Sequence, residues 1–217
     1  MRIGIIGAGR IGGNVARQAA RAGHELTLSF SRDPDRLRAL ADELGGTPGS
    51  PADAVRSSEL VVFSVPWSAI PDALEWAGNL DGRIVIDTTN QFGAGPKPAD
   101  GETAATFNKA RMAGSRYTKS FNTLTSAFQE QTAGRSGDAR VVQWVCGDDA
   151  DAKQTVCELI EQMGYAPVDL GGTADATVME APRRPGAVYG EEYRLADALG
   201  VVAAVRAGQS IPPTPSY

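Results

Sequence analysis

The strongest constraint on this chain lies in its first dozen residues. Arg2–Gly7 is an apolar run that reads as a buried strand, and Ile11–Ala22 is rich in small residues and reads as a helix that packs close to a sheet. Between them stands Gly7-Ala8-Gly9-Arg10-Ile11-Gly12, a G-x-G-x-x-G pattern. Many unrelated chains carry such a pattern. Placed between a strand and a helix, at the head of a strand–helix–strand unit, it predicts a loop that holds a dinucleotide. Gly7 lets the chain turn tightly, Gly9 leaves room for a pyrophosphate, and Gly12 permits close helix–strand contact. Free N–H groups at the helix start, with the positive end of its dipole, suit the phosphates. Arg10 and Ile11 sit at that start, and Arg10 adds a charge.

The rest of the chain continues the alternation. Strands are expected at 25–30, 60–65, 83–89, 117–124, 139–146 and 166–170, with a further short one within 45–51. Helices are expected at 33–44, with Asp33 as N-cap and Pro34 in the first turn, then at 50–57, 71–77 and 102–113. Another runs from about Ala152 to Met163 and is closed by Gly164, and a last one covers Leu195–Val205. This order predicts an α/β fold, a Rossmann-like, doubly wound and mostly parallel sheet, with a short helical C-terminal extension. Residues 1–181 form the expected dinucleotide-binding domain. Residues 182–217 supply a helix and a proline-rich tail that pack on the same domain or on a dimer partner.

The end of the second strand selects the nucleotide. An acid there holds the ribose 2′-OH of NAD, whereas an arginine accommodates a 2′-phosphate. The sequence reads Ser31-Arg32-Asp33-Pro34-Asp35-Arg36, with no acid at the strand end. Ser31 offers a hydroxyl, Arg32 a planar guanidinium suited to phosphate, and Arg36 lies one helical turn beyond. NADP(H) is therefore expected over NAD(H), with Asp33 and Asp35 as modest counter-evidence.

The remaining composition narrows the partners. A formal net charge of −5 and the lack of a Lys/Arg run argue against nucleic acid. The two cysteines, Cys146 and Cys157, form no C-x-x-C pair, which suits a reducing compartment. The apolar start is too short for a signal segment, and no stretch approaches the ~20 apolar residues of a membrane span. A cytoplasmic protein with no membrane partner is expected. No metal-ligand spacing appears, and the lone His24 falls in a turn away from the strand C-termini, where such sheets bind ligands. Those C-termini offer Ser64, Val65 and Pro66, then Thr88, Thr89 and Asn90, then Phe121, Asn122 and Thr123. None is a good general acid at neutral pH, which agrees with hydride transfer between two ring systems governed by positioning. Reduction of a carbonyl would want a proton donor, for which Tyr117, Tyr189 and Tyr193 are the candidates. Trp67 is either a cleft wall or a packing residue.

Five stretches carry a family resemblance. They are RIGIIGAGRIG at the start, HELTLSFSRDP, SVPW at Ser64–Trp67, SFNTL at Ser120–Leu124, and CGDDADAK with its helix and GYAPVDLGG up to about Glu180. In these the chain resembles the F420:NADP oxidoreductases. The resemblance implies a Rossmann-like domain that binds NADP(H), acts as a homodimer, and passes hydride directly to or from the deazaflavin coenzyme F420. By the same resemblance Ser31 and Arg32 meet the 2′-phosphate, and Val65 and Pro66 lie beside the nicotinamide half. One departure falls at Ala181–Tyr193, where the family has an apolar segment bearing Met and Phe and this chain is polar and charged. There Arg183 and Arg184 are by default a solvated pair, and alternatively candidates for the anionic tail of F420. Two other readings stand beside this one: an NADPH-dependent reductase of a small imine or carbonyl, and a non-catalytic NADP(H)-binding sensor.

Overall fold

The computed structural model describes residues 1–30 and 33–217; Ser31 and Arg32 lie outside the described residues. Eight strands form one sheet. They are β1 (Arg2–Ile6), β2 (Glu25–Ser29), β3 (Thr47–Pro48), β4 (Leu60–Phe63), β5 (Ile84–Asp87), β6 (Arg116–Lys119), β7 (Val142–Gly147) and β8 (Ala166–Gly171). Their order across the sheet is β3-β2-β1-β4-β5-β6-β7-β8. Every neighbouring pair is parallel except β6–β7. The expected α/β, mostly parallel Rossmann-like sheet is therefore present.

Helices cover both faces, which is why the central strands are continuously apolar. On one face α1 (Arg10–Arg21), α2 (Pro34–Leu44), α6 (Ser126–Thr132) and α7 (Ala150–Gln162) bury a core that includes Val15, Leu40, Val62, Val156 and Ile160. On the other, α3 (Pro51–Ser57), α4 (Ile70–Ala77), α5 (Ala104–Arg111) and α8 (Leu195–Arg206) bury Val55, Ile70, Ala105, Trp144 and Val201. Local chemistry starts several of these helices. Asp33 caps α2 by accepting from the N–H groups of Asp35 and Arg36, with Pro34 in the first turn. Ser50 and Asp53 make a reciprocal capping box at α3.

Three elements differ from expectation. The sixth strand stops at Lys119 rather than Leu124. Phe121 has φ of 57°, a left-handed conformation that turns the chain out of the sheet despite its strand-like composition. The helix α6 and a 3₁₀ segment at Thr173–Met179 fall in stretches that carry little periodic signal. α6 lies between the end of β6 and the start of β7, and this pair is antiparallel.

The C-terminal segment packs on the chain's own sheet. The N–H of Val142 donates to the carbonyl of Tyr193 at 2.9 Å, and the Tyr193 ring stands edge-on to Trp144 with centroids 5.4 Å apart. The tail then folds back, placing the Tyr217 ring 4.2 Å below the Arg194 guanidinium. Leu195 and Leu199 of α8 face outward, 43% and 59% exposed.

The family-resembling CGDD block is structural here. Asp149 caps α7 through the N–H of Ala152 and pairs in two-pronged fashion with Arg116 at 2.7 and 2.9 Å, which holds its carboxyl well below the usual range. Asp148 ties the 3₁₀ segment to α5 by accepting from Thr173 N–H and Lys109 Nζ.

A buried polar hub joins β5, β6 and α5. Asp87 and Lys119 are both fully buried, with Lys119 Nζ 3.6 Å from Asp87 Oδ2. Asp87 also accepts from Tyr117 OH at 2.6 Å, Asn108 Nδ2 at 2.8 Å and the Thr89 N–H at 2.8 Å. Lys119 donates to the carbonyl of Thr89 at 2.6 Å. Burial and the neighbouring Asp87 carboxylate push the Tyr117 hydroxyl well above its ordinary value, so it stays a donor. Removing one partner of a buried, hydrogen-bonded pair strands the other charge. Lys119→Met is expected to lower unfolding free energy by about 3–5 kcal/mol in urea titrations. The double variant Asp87→Asn/Lys119→Met should recover part of that loss; strictly additive losses would show that the pair is not coupled.

Candidate functional site

The glycine loop follows β1 and opens α1, as its spacing predicts. Its three glycines differ in what holds them. A Cβ on Gly7 would lie 2.2 Å from the Ser64 carbonyl oxygen, and the residue has φ of 100°. A Cβ on Gly12 would lie 2.1 Å from the Gly7 carbonyl oxygen. Both are glycine because the protein packs against itself there. Around Gly9 a Cβ would meet nothing within 4 Å. That position faces open space in front of the helix, where a phosphate group fits against the backbone. The Gly13 N–H makes the first bond of α1, to the Gly9 carbonyl at 2.9 Å, and no side chain caps the turn before it. The loop thus presents free donors at the positive end of a helix of 12 residues.

Two cavities meet at this loop and share Gly9, Ser64 and Pro66. The first, of 540 Å³, runs toward the end of β2, where Phe30, Asp33 and Arg36 line it. No ion pair or hydrogen bond engages the Arg36 guanidinium among the described residues. Ser31 and Arg32, expected beside it, lie outside the described residues. The second cavity, of 660 Å³, extends across the C-terminal ends of β4, β5 and β6. Together they form one trough over the glycine loop, at the crevice where open α/β sheets bind their ligands.

The expected site residues Gly9, Arg10, Ile11, Ser64, Val65, Pro66, Asn90, Phe121, Asn122 and Thr123 all line the larger cavity, and Arg36 the smaller. Several do so in a supporting role. Asn90 Nδ2 donates to the Asn122 carbonyl at 2.8 Å, and Asn122 Nδ2 donates to Asn90 Oδ1 at 3.1 Å and to the Met179 carbonyl at 2.8 Å. These amides pin the cavity wall rather than reach into it. Phe121 is almost fully buried and meets Tyr165 edge-on. Ser64 Oγ accepts from Thr88 Oγ1 at 2.9 Å. Trp67 fits both of its readings: it is buried, lines the cavity, and donates from Nε1 to the Pro96 carbonyl at 2.8 Å, fastening the loop over 90–103.

Arg183 and Arg184 require a correction. Neither lines the cavity. Arg183 pairs with Glu191 at 2.6 and 3.0 Å, while Arg184 donates to the backbone carbonyls of Glu180, Pro182 and Thr177. Their charges are engaged in folding the C-terminal segment. The tyrosines also separate. Tyr117 belongs to the buried hub and Tyr193 packs on Trp144, whereas Tyr189 lines the cavity. Four wall residues were not singled out from the sequence: Phe92, from a loop read only by its glycines and prolines, Leu124, Thr125, the N-cap of the unforeseen α6, and Gly190. Among the described residues no group of three His, Cys, Asp or Glu side chains is placed to hold a metal.

Comparison with known proteins accords with this geometry. Residues 2–91 match the family described as NADP oxidoreductase, coenzyme F420-dependent. That stretch holds the glycine loop, the end of β2 and Ser64–Pro66, which line the loop side of the trough. The resemblance seen in the sequence is thereby shown. Among solved structures, a hypothetical protein from Sinorhizobium meliloti is 26% identical with a TM-score of 0.78, covering 89% of this chain and 95% of that one. A candidate F420-dependent NADP reductase from Arthrobacter sp. is 27% identical with a TM-score of 0.68, covering 81% and 87%. An imine reductase from Myxococcus stipitatus, at 21% identity and a TM-score of 0.60 over 80% of this chain and 54% of that one, shares the fold. Among curated relatives, the metalloreductase STEAP3 of Rattus norvegicus is 28% identical over 180 residues, 83% of this chain and 36% of the relative. The chain spans about a third of the length of such relatives. No helix among the described residues is long and apolar enough to cross a membrane.

The glycines make separable predictions. Gly9→Val should weaken NADPH by about tenfold or more, the loss of one or two backbone hydrogen bonds to a charged group, with little change in melting temperature. Gly12→Ala should lower the melting temperature, because its Cβ overlaps the Gly7 carbonyl. Fluorescence titration and thermal melts of the two variants check this; a Gly9→Val protein that binds NADPH like the parent would remove the loop from the site.

Proposed function

We propose that the chain is an NADP(H)-dependent oxidoreductase that passes hydride between NADPH and a planar redox partner, with the deazaflavin F420 as the leading acceptor. One observation carries this reading. The 660 Å³ cavity that continues from the glycine loop is lined by no Asp, Glu, His, Lys or Cys, and Arg10 and Tyr189 are its only titratable groups among the described residues. Such a wall suits a reaction in which two rings are held face to face and no developing alkoxide needs a proton. Bound NADPH supplies the hydride. The chain's own groups do the holding: the α1 N-terminus takes the pyrophosphate, Val65 and Pro66 flank the nicotinamide, and Thr88, Thr89 and Asn90 edge the space beyond.

NADP(H) is preferred through Ser31, Arg32 and Arg36. The Arg36 guanidinium, with no ion pair or hydrogen bond among the described residues, lines the 540 Å³ cavity and supports this placement. The alternative, reduction of a small imine or carbonyl, is favoured by one group only, the Tyr189 hydroxyl. Partial burial raises its pKa, so it stays protonated and able to donate. The outward Leu195 and Leu199 on α8 support a homodimer through that helix.

The deciding experiment mixes protein and NADPH with oxidised F420, then with imines and ketones, and follows nicotinamide absorbance. Rapid oxidation with F420 alone is expected; turnover confined to the imine and ketone panel would replace this reading with the alternative. Arg36→Ala and Arg32→Ala should each weaken NADPH by about 1.5–3 kcal/mol while leaving NADH nearly unchanged, and equal weakening of both would remove the 2′-phosphate assignment. Leu199→Glu should convert a dimer to a monomer in light scattering, and a parent protein of monomer mass at every concentration would exclude the dimer.

A further inference from the structure

Two aromatic side chains stand across the mouth of the 660 Å³ cavity, and neither belongs to the glycine motif or the nicotinamide wall. Phe92 follows the β5 end on the loop over 90–103 and is 56% exposed at the cavity edge. Tyr189 comes from the C-terminal segment, the part that departs most from the resembling family. Their centroids are 6.3 Å apart and their planes meet at 60°.

The two rings are anchored differently. Tyr189 sits between the fully buried Val188, whose N–H donates to the Val178 carbonyl at 2.8 Å, and Gly190, whose N–H donates to the Thr123 carbonyl at 2.8 Å. Its backbone is therefore held on both sides, to the 3₁₀ segment through Val178 and to the cavity wall through Thr123. The Phe92 N–H donates to the Asn90 carbonyl at 2.8 Å, and its more than half-exposed ring has Tyr189 as its only aromatic neighbour among the described residues. A fixed ring and a freer one, tilted at 60° beside a space whose only ionisable groups among the described residues are Arg10 and Tyr189, suit a flat aromatic guest. The guest gains two ring faces, and the exposed ring loses water contact.

Resting on the proposed hydride transfer, we infer that Phe92 and Tyr189 form an aromatic clasp that selects a planar tricyclic acceptor, a deazaflavin or a flavin, and holds it over the nicotinamide. Tyr189 acts here through its ring face, not through its hydroxyl. The clasp also accounts for a polar C-terminal segment that still serves a flat substrate. Arg183, Arg184, Glu191 and Glu192 fold the segment, and a single aromatic residue projects from it into the cavity wall.

Binding tests the clasp separately from turnover. F420 and FMN are each titrated into the full-length protein loaded with NADP⁺, following quenching of the ring's own fluorescence. At least one of them is expected to bind. Phe92→Ala and Tyr189→Ala should each weaken it by about tenfold, with NADPH affinity unchanged, while Tyr189→Phe should stay within about twofold of the parent. The arm that binds distinguishes deazaflavin from flavin. The clasp is overturned if neither ring binds, if both alanine variants bind like the parent, or if Tyr189→Phe loses as much as Tyr189→Ala. Binding without hydride transfer from NADPH would instead sink the proposed reaction and leave the clasp in place.

Discussion

The buried contact between Asp87 and Lys119 is the interaction on which the trough depends. Asp87 ends β5, and the three residues after it form the cavity floor. Strand ends leave backbone groups unpaired, and buried ones must find partners. Here a single carboxylate takes the Thr89 N–H, while the Lys119 ammonium takes the Thr89 carbonyl. One residue of the floor is thus held from both its donor and its acceptor side. Asn108 extends the hold to α5 by donating to Asp87 and to Thr89 Oγ1. The arrangement is costly in desolvation, and it stands because nearly every lone pair has a donor.

From that floor the wall is built by reciprocal amides. Asn90 Nδ2 donates to the Asn122 carbonyl, Asn122 Nδ2 donates to Asn90 Oδ1, and Asn90 Oδ1 also accepts from the Ala181 N–H at 3.2 Å. The ends of β5 and β6 and the start of the C-terminal segment are therefore one connected unit. This explains why a polar, charged segment can replace an apolar one at Ala181–Tyr193 without opening the site. Its charges are satisfied by the Arg183–Glu191 pair, by Arg135 on Glu192 and by backbone carbonyls around Arg184, and its attachment to the sheet is through backbone groups that any composition provides.

Much of the cofactor half was legible in the sequence because its physics is local. A strand, three glycines at fixed spacing and a helix start occupy a dozen consecutive residues, and the geometry follows from backbone sterics and an uncapped helix. Asp33 as N-cap and Pro34 beside it were legible for the same reason. The substrate half was not. Lys119 is only one residue of the expected strand 117–124 in sequence, and the sheet order β5-β6-β7 alone encloses it beside Asp87. Phe121 has strand composition but turns the chain, since its surroundings over-determine its backbone. Arg183 and Arg184 look like anion ligands in sequence, yet Glu191 and three carbonyls lie within their reach.

By itself, then, the sequence determined the alternating α/β architecture, the glycine loop and the family resemblance. Each rests on periodicity or on spacing within a few turns of chain. Tertiary structure alone decided which asparagines support and which groups face the cavity, that β7 and β8 run against the other strands, and that Phe92 meets Tyr189. Those contacts join residues tens of positions apart, up to the 97 that separate these two rings. No local pattern encodes such a meeting; it exists only once the sheet has brought the ends of its strands to one edge.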